Sequence, residues 1–172
     1  MNAHRRQLRK VNNQKGFTLI ELIVIITIIG ILSYIAVANF SDSNSQVQYG
    51  TLIRKIATDV RFAQQLALTE GRSTHVYIDQ ANNRYYLKWD DGTYIQNPVG
   101  GGDFIVQLGV GEFSAVQITG TEFVNGRLDF STSGIPLNAG SVFSGELYLV
   151  TLNNAKRLQV TANTGFLKIE DL

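Results

Sequence analysis

Two imidazoles, no thiol and a single acid inside a long apolar run are what this 172-residue chain offers to chemistry. Without cysteine, thiolate zinc sites, disulfide staples and cysteine nucleophiles are excluded. His4 lies in a basic N-terminal stretch and His75 in an alternating run, where a half-buried strand would make it a surface or cross-strand side chain. Ser133, Ser141 and Ser144 have glycine neighbours, but none has the G-x-S-x-G spacing of a nucleophile elbow. Gly100-Gly-Gly102 and Gly109-Val-Gly111 precede no helical pattern and read as turns rather than phosphate loops. No histidine–carboxylate cluster offers a metal site. The expectation is a chain that is not an enzyme, with no cofactor and no metal.

Charge placement is more informative than the net charge of +1. Arg5, Arg6, Arg9, Lys10 and Lys15 crowd the first sixteen residues, with no acid among them. From Gly16 to Phe40 the only charged residue is Glu21, and the remainder is mildly acidic. Residues 17–40 are 24 consecutive, overwhelmingly apolar positions. As a helix they would span roughly 36 Å, enough to cross a hydrocarbon core of about 30 Å. The basic flank places the leader on the cytoplasmic side and the rest outside. A secretory signal peptide is the competing reading, and Ala36-Val37-Ala38 resembles its cleavage site. Against it stand the length of the apolar stretch, the acid inside it and the Lys15-Gly16 pair that abuts it.

Glu21 requires a reason. A carboxylate in a bilayer costs at least ~2.5–3.5 kcal/mol even on the lenient insertion scale, so by default it marks function. The alternative is a carboxylate near the helix start, favoured by the helix dipole.

Lys15-Gly16-Phe17-Thr18-Leu19-Ile20-Glu21 resembles the prepilin signature of type IV pilins and type II secretion pseudopilins. That resemblance implies cleavage between Gly16 and Phe17 by a membrane prepilin peptidase, which also methylates the new amine of Phe17. It implies that Glu21 neutralises the amine of a neighbouring subunit and so sets axial register. Gly30, Ser33 and Ala36, at steps of three, would let such helices approach closely. The implied partners are the peptidase/methyltransferase, other minor and major pilins or pseudopilins, and the bacterial inner membrane, with the head in the periplasm.

Beyond Phe40 the sequence turns polar, then amphipathic. Tyr49, Leu52, Ile53, Ile56, Val60, Ala63 and Ala67 recur at helical steps, while Arg54, Lys55, Asp59, Arg61 and Gln64 fill the opposite face. Glu70-Gly71 predicts the end of the helix, with Gly71 as the left-handed residue beyond it. The period then changes to two. Strands are expected at 73–78, 84–89, 104–110, 115–119, 127–130, 146–152, 158–161 and 166–169, separated by turn residues. The predicted organisation is a leader over 1–16, a membrane-spanning assembly segment over 17–40, an amphipathic continuation over 41–70 and a β-rich head over 71–172. The fold class is α+β: a long N-terminal helix packed on a small antiparallel sheet head.

The segments 128–130, 134–136, 146–150, 156–160 and 164–169 are similar to the GspH/FimT group of minor pseudopilins, whose heads end in a hairpin with Thr-Gly before the last strand. Two absences, of a cysteine pair and of an acidic calcium loop, fit a minor subunit. Some members of that group take up DNA through a basic C-terminal hairpin, and Lys156, Arg157 and Lys168 are the residues here that could meet phosphates. Phosphate neutralisation needs several cations on one face. With Glu170 and Asp171 beside these three, nucleic acid is not expected as a partner.

Overall fold

The computed structural model describes residues 17–172, and of residues 35–45 the backbone alone. The expected leader, with His4 and Gly16, lies outside the described residues. The chain divides into two compact units, Met1–Ser41 and Asp42–Leu172.

Within the first unit, helix α1 (Leu19–Glu70) starts immediately after Thr18. Every described side chain over 17–34 is exposed, as an apolar-all-round segment with no covering element must be. The one hydroxyl in its middle, Thr27 Oγ1, donates to the Ile23 carbonyl at 2.8 Å, so it is satisfied inside the helix. Among the described residues no helix is long and apolar enough to cross a membrane. The span expected from the sequence covers 17–40, and the side chains of 35–40, Ala36 among them, lie outside the description.

The second unit holds the rest of α1 and nine strands: β1 (Thr74–Asp79), β2 (Arg84–Trp89), β3 (Ile105–Gln107), β4 (Ile118–Gly120), β5 (Arg127–Phe130), β6 (Pro136–Asn138), β7 (Glu146–Leu152), β8 (Lys156–Thr161) and β9 (Leu167–Asp171). They form a five-stranded sheet, ordered β3-β2-β1-β5-β6, and a four-stranded sheet, ordered β4-β7-β8-β9. Every pairing is antiparallel. The expected α+β architecture of a helix on antiparallel sheets is therefore present.

The helical stripe packs as its spacing dictates: Leu52, Ile53, Ile56, Val60, Ala63 and Ala67 are buried against Val76, Tyr85, Leu87, Leu128, Phe130, Leu149 and Leu158. Thr74 Oγ1 donates to the Ala63 carbonyl at 2.9 Å and pins β1 to the helix. Gly71, at φ 63°, ends α1 in the left-handed conformation expected of it.

Two residues assigned to the polar face behave differently. Asp59 is buried, accepting from the Tyr85 hydroxyl at 2.5 Å and from Lys55 Nζ at 2.8 Å. Burial, and secondarily the Asp59 carboxylate, push the Tyr85 hydroxyl far up, so it stays a donor. Gln64 Nε2 donates to the carbonyls of Gly134 at 2.8 Å and Thr164 at 3.1 Å. One helical side chain thus ties down a turn from each sheet. A Cβ at Gly165 would stand 2.7 Å from Gln64 Nε2, which is why the Thr164-Gly165 turn has no side chain at its second position.

β6, which starts just after Gly134-Ile135, is the strand that periodicity did not predict. It is a three-residue edge strand that opens on proline, the position at which a missing N–H does least harm.

Candidate functional site

The candidate assembly segment is built from its first turn. Thr18 Oγ1 accepts the backbone N–H of Glu21 at 3.3 Å, and the Thr18 carbonyl accepts the N–H of Leu22 at 3.2 Å. Thr18 is therefore the N-cap, and Glu21 stands three residues on, in the helix's first turn. Thr-x-x-Glu ahead of an apolar run is the capping-box pattern. Sequence reasoning fixed on Glu21 and missed Thr18, although that pattern names both. Phe17, at 77% exposed, immediately precedes the cap. The geometry presents Glu21 in the first turn of a helix whose described side chains up to residue 34 are exposed and largely apolar.

Three of the head's titratable groups form one hydrogen-bonded cluster. His75 pairs across β1 and β5 with Asp129, its Nδ1 2.6 Å from Oδ1. Arg127 closes the cluster, donating from Nε at 2.6 Å and from Nη2 at 2.7 Å to the two carboxylate oxygens. Burial alone would raise the Asp129 carboxyl, but the hydrogen bonds from His75 and Arg127 outweigh it and hold the group below the usual carboxylate range. A depressed acid stabilises the folded state fully above its unfolded pKa of about 3.9, and that contribution is lost as pH falls through the lower folded value. Acid unfolding followed by circular dichroism should therefore steepen below about pH 4 in the wild type. Asp129→Asn should lose that limb and show a lower plateau at neutral pH; an unchanged acid limb would show that this cluster carries none of it. His75 is thus the cross-strand side chain expected.

The three basic residues considered for phosphate contact are not brought together as a cationic patch. Lys156 is ion-paired with Asp171, and Lys168 with Glu170 at 2.9 Å. Arg157 instead stacks its guanidinium 4.4 Å over the Tyr148 ring. Two of the three charges are thus ion-paired within the hairpin. Among the described residues no group of histidines and carboxylates could hold a metal ion.

Residues 11–37 match the family model of the prokaryotic N-terminal methylation motif. The chain is 27% identical over 108 residues to a fimbrial protein of Pseudomonas aeruginosa, a match covering 63% of this chain and 68% of that one. To fimbrial protein Q of Moraxella bovis it is 43% identical over 63 residues, 37% of this chain and 40% of the relative. A fimbrial protein of Dichelobacter nodosus is 34% identical over 98 residues, covering 52% and 61% respectively. No solved structure matches the chain.

Proposed function

We propose, for a chain that is type IV pilin-like, the role of a minor pilin or pseudopilin subunit of the GspH/FimT kind, built into a filament of a type IV pilus or a type II secretion system. The observation that carries this reading is the methylation motif over 11–37, which surrounds Gly16, Phe17 and Glu21. The chain would enter the inner membrane through 17–40 with its head in the periplasm. A prepilin peptidase would cut between Gly16 and Phe17 and methylate Phe17. The retained helix would then pack among those of other pilins or pseudopilins, with Glu21 answering a neighbour's amine. In hydrocarbon, an amine–carboxylate pair is strong and either half alone is costly, so the pairing selects one axial register. The head would contribute surface rather than catalysis, at the point of initiation or at the filament tip.

Mass spectrometry of the mature N-terminus tests this directly. The expected product begins at N-methylated Phe17. An intact Met1, or a start at Asn39 after Ala36-Val37-Ala38, would overturn it, the first showing no processing and the second an ordinary secretory signal.

A further inference from the structure

Four strands end the two sheets: β3 and β6 in the first, β4 and β9 in the second. An open strand edge invites pairing by another chain, and three of these four carry a device against it. β6 opens on Pro136, the β4 ladder shifts register between Ile118 and Gly120, and β9 bears Lys168, Glu170 and Asp171. β3 reads Ile-Val-Gln and pairs with β2 in unbroken register, with no charge, no proline and no bulge. Its hydrogen bonds show which groups lie free. The Leu108 N–H donates to the Asn83 carbonyl at 2.9 Å, and the Phe104 carbonyl accepts the Leu87 N–H at 3.1 Å. Bonded pairs alternate along an antiparallel ladder, so the backbones of 104, 106 and 108 face β2, and those of Ile105 and Gln107 face the open edge.

Side chains alternate too: Phe104 is buried and Val106 half-buried, while Ile105 and Gln107 are exposed. On the side of Phe104 and Val106 a cleft of about 460 Å³ opens, walled also by Phe62 of α1 and Pro98 of the preceding loop. The Phe62 and Phe104 rings stack with centroids 6.0 Å apart. The charged residues that line it, Lys55 and Asp59, already bond each other at 2.8 Å, so the cleft suits a neutral, apolar occupant. A peptide strand laid along β3 would turn alternate side chains into this opening.

We infer that β3 and this cleft together take an extended segment of a partner polypeptide, antiparallel to β3, with an aromatic or branched apolar side chain opposite Val106. The residues on either side of that anchor would bond Ile105 and Gln107 through their backbones, and the anchor itself would fall between α1 and the sheet. A second copy of this chain fits less well. Its own β3 offers three residues and a valine at the matching position, little contact for a stable dimer and a small side chain for a cleft of that size. The site uses residues of the head alone and stands apart from the assembly reading above.

The test uses the full-length chain in detergent and a capped Thr-Val-Phe-Val-Thr peptide. The backbone amide resonance of Gln107 should move saturably as the peptide is added. N-methylation of the peptide's phenylalanine, whose N–H points away from β3, should leave the affinity within about twofold. N-methylation of the valine that follows should weaken it about tenfold or more, because that N–H faces the edge. The two methylated peptides are isomers, so partition into the micelle does not separate them. Thr58→Trp, at an exposed helical position on the cleft wall, should fill the opening and also weaken binding about tenfold. No saturable shift, equal weakening by both methylations, or unaltered binding to Thr58→Trp overturns the proposal. So does a Gln107 shift that follows protein concentration with no peptide present, which would make the edge a contact between copies.

Discussion

Glu21→Gln is expected to abolish incorporation into filaments beside wild-type partners, while leaving membrane insertion and cleavage at Gly16 intact. Glu21 stands in the first turn of α1, and the assembly role proposed for it is separate from that position. Thr18 caps the helix through the Glu21 N–H, and a glutamine at that third position serves a capping box as well as a glutamate does. Only the charge is lost. If register depends on an amine–carboxylate pair in hydrocarbon, removing one half leaves a buried amine uncompensated, a penalty of about 3–5 kcal/mol. That corresponds to a loss of more than about a hundredfold in incorporation. Thr18→Val makes the complementary change: it removes the cap at a cost of about 1 kcal/mol and keeps the charge, so incorporation should fall only modestly. Immunoblotting of sheared filaments against total membrane protein reads both. Normal incorporation of Glu21→Gln together with failure of Thr18→Val would make Glu21 a helix-start residue and nothing more.

How far the sequence reveals such roles depends on the range of the interaction. Periods of 3.6 and of two are local, so α1, β1, β2, β5 and β7 are legible within a residue or so at their ends. Polar-face residues are legible only as polar. Asp59 and Gln64 fall on the hydrophilic side of the helical pattern, yet their partners Tyr85, Gly134 and Thr164 lie 26 to 100 positions away. Asn83 and Asn153 make the same point. Both adopt positive φ, as turn asparagines do. Asn83 also accepts the Ile118 N–H at 2.8 Å and donates to the Val116 carbonyl at 3.0 Å. Asn153 accepts the Gln117 N–H at 2.6 Å and donates to the Ala115 carbonyl at 3.0 Å. Between them they hold the strip that joins the two sheets, a function no turn propensity encodes. The candidate site divides likewise. Gly16, Phe17 and Glu21 fall within six consecutive residues inside the matched methylation motif, a local pattern. The His75–Asp129 pair joins β1 to β5 across 54 positions, which no local period announces.

The largest stability effect is expected at Gly126, where the chain turns into β5 just before Arg127 and the Asp129 cluster. Gly126 donates its N–H to the Phe123 carbonyl at 2.8 Å at φ 65°. A Cβ there would stand 2.3 Å from the Ile78 carbonyl oxygen, which belongs to the backbone of β1 and cannot swing aside. Gly126→Ala therefore combines left-handed strain of about 1–3 kcal/mol with an overlap that only separation of β5 from the end of β1 relieves. A total of about 3–5 kcal/mol is expected, among the largest for one methyl group. Gly92→Ala isolates the first contribution: φ is 82° there, and nothing lies within 4 Å of the added carbon. It should cost only about 1 kcal/mol. Urea unfolding of the full-length chain in detergent, followed by Trp89 fluorescence, gives both values in one experiment. Equal losses for the two variants would mean that β1 and β5 tolerate separation at Gly126. The close approach would then not be what registers Tyr77 opposite Arg127 and, through that pairing, Asp129 opposite His75.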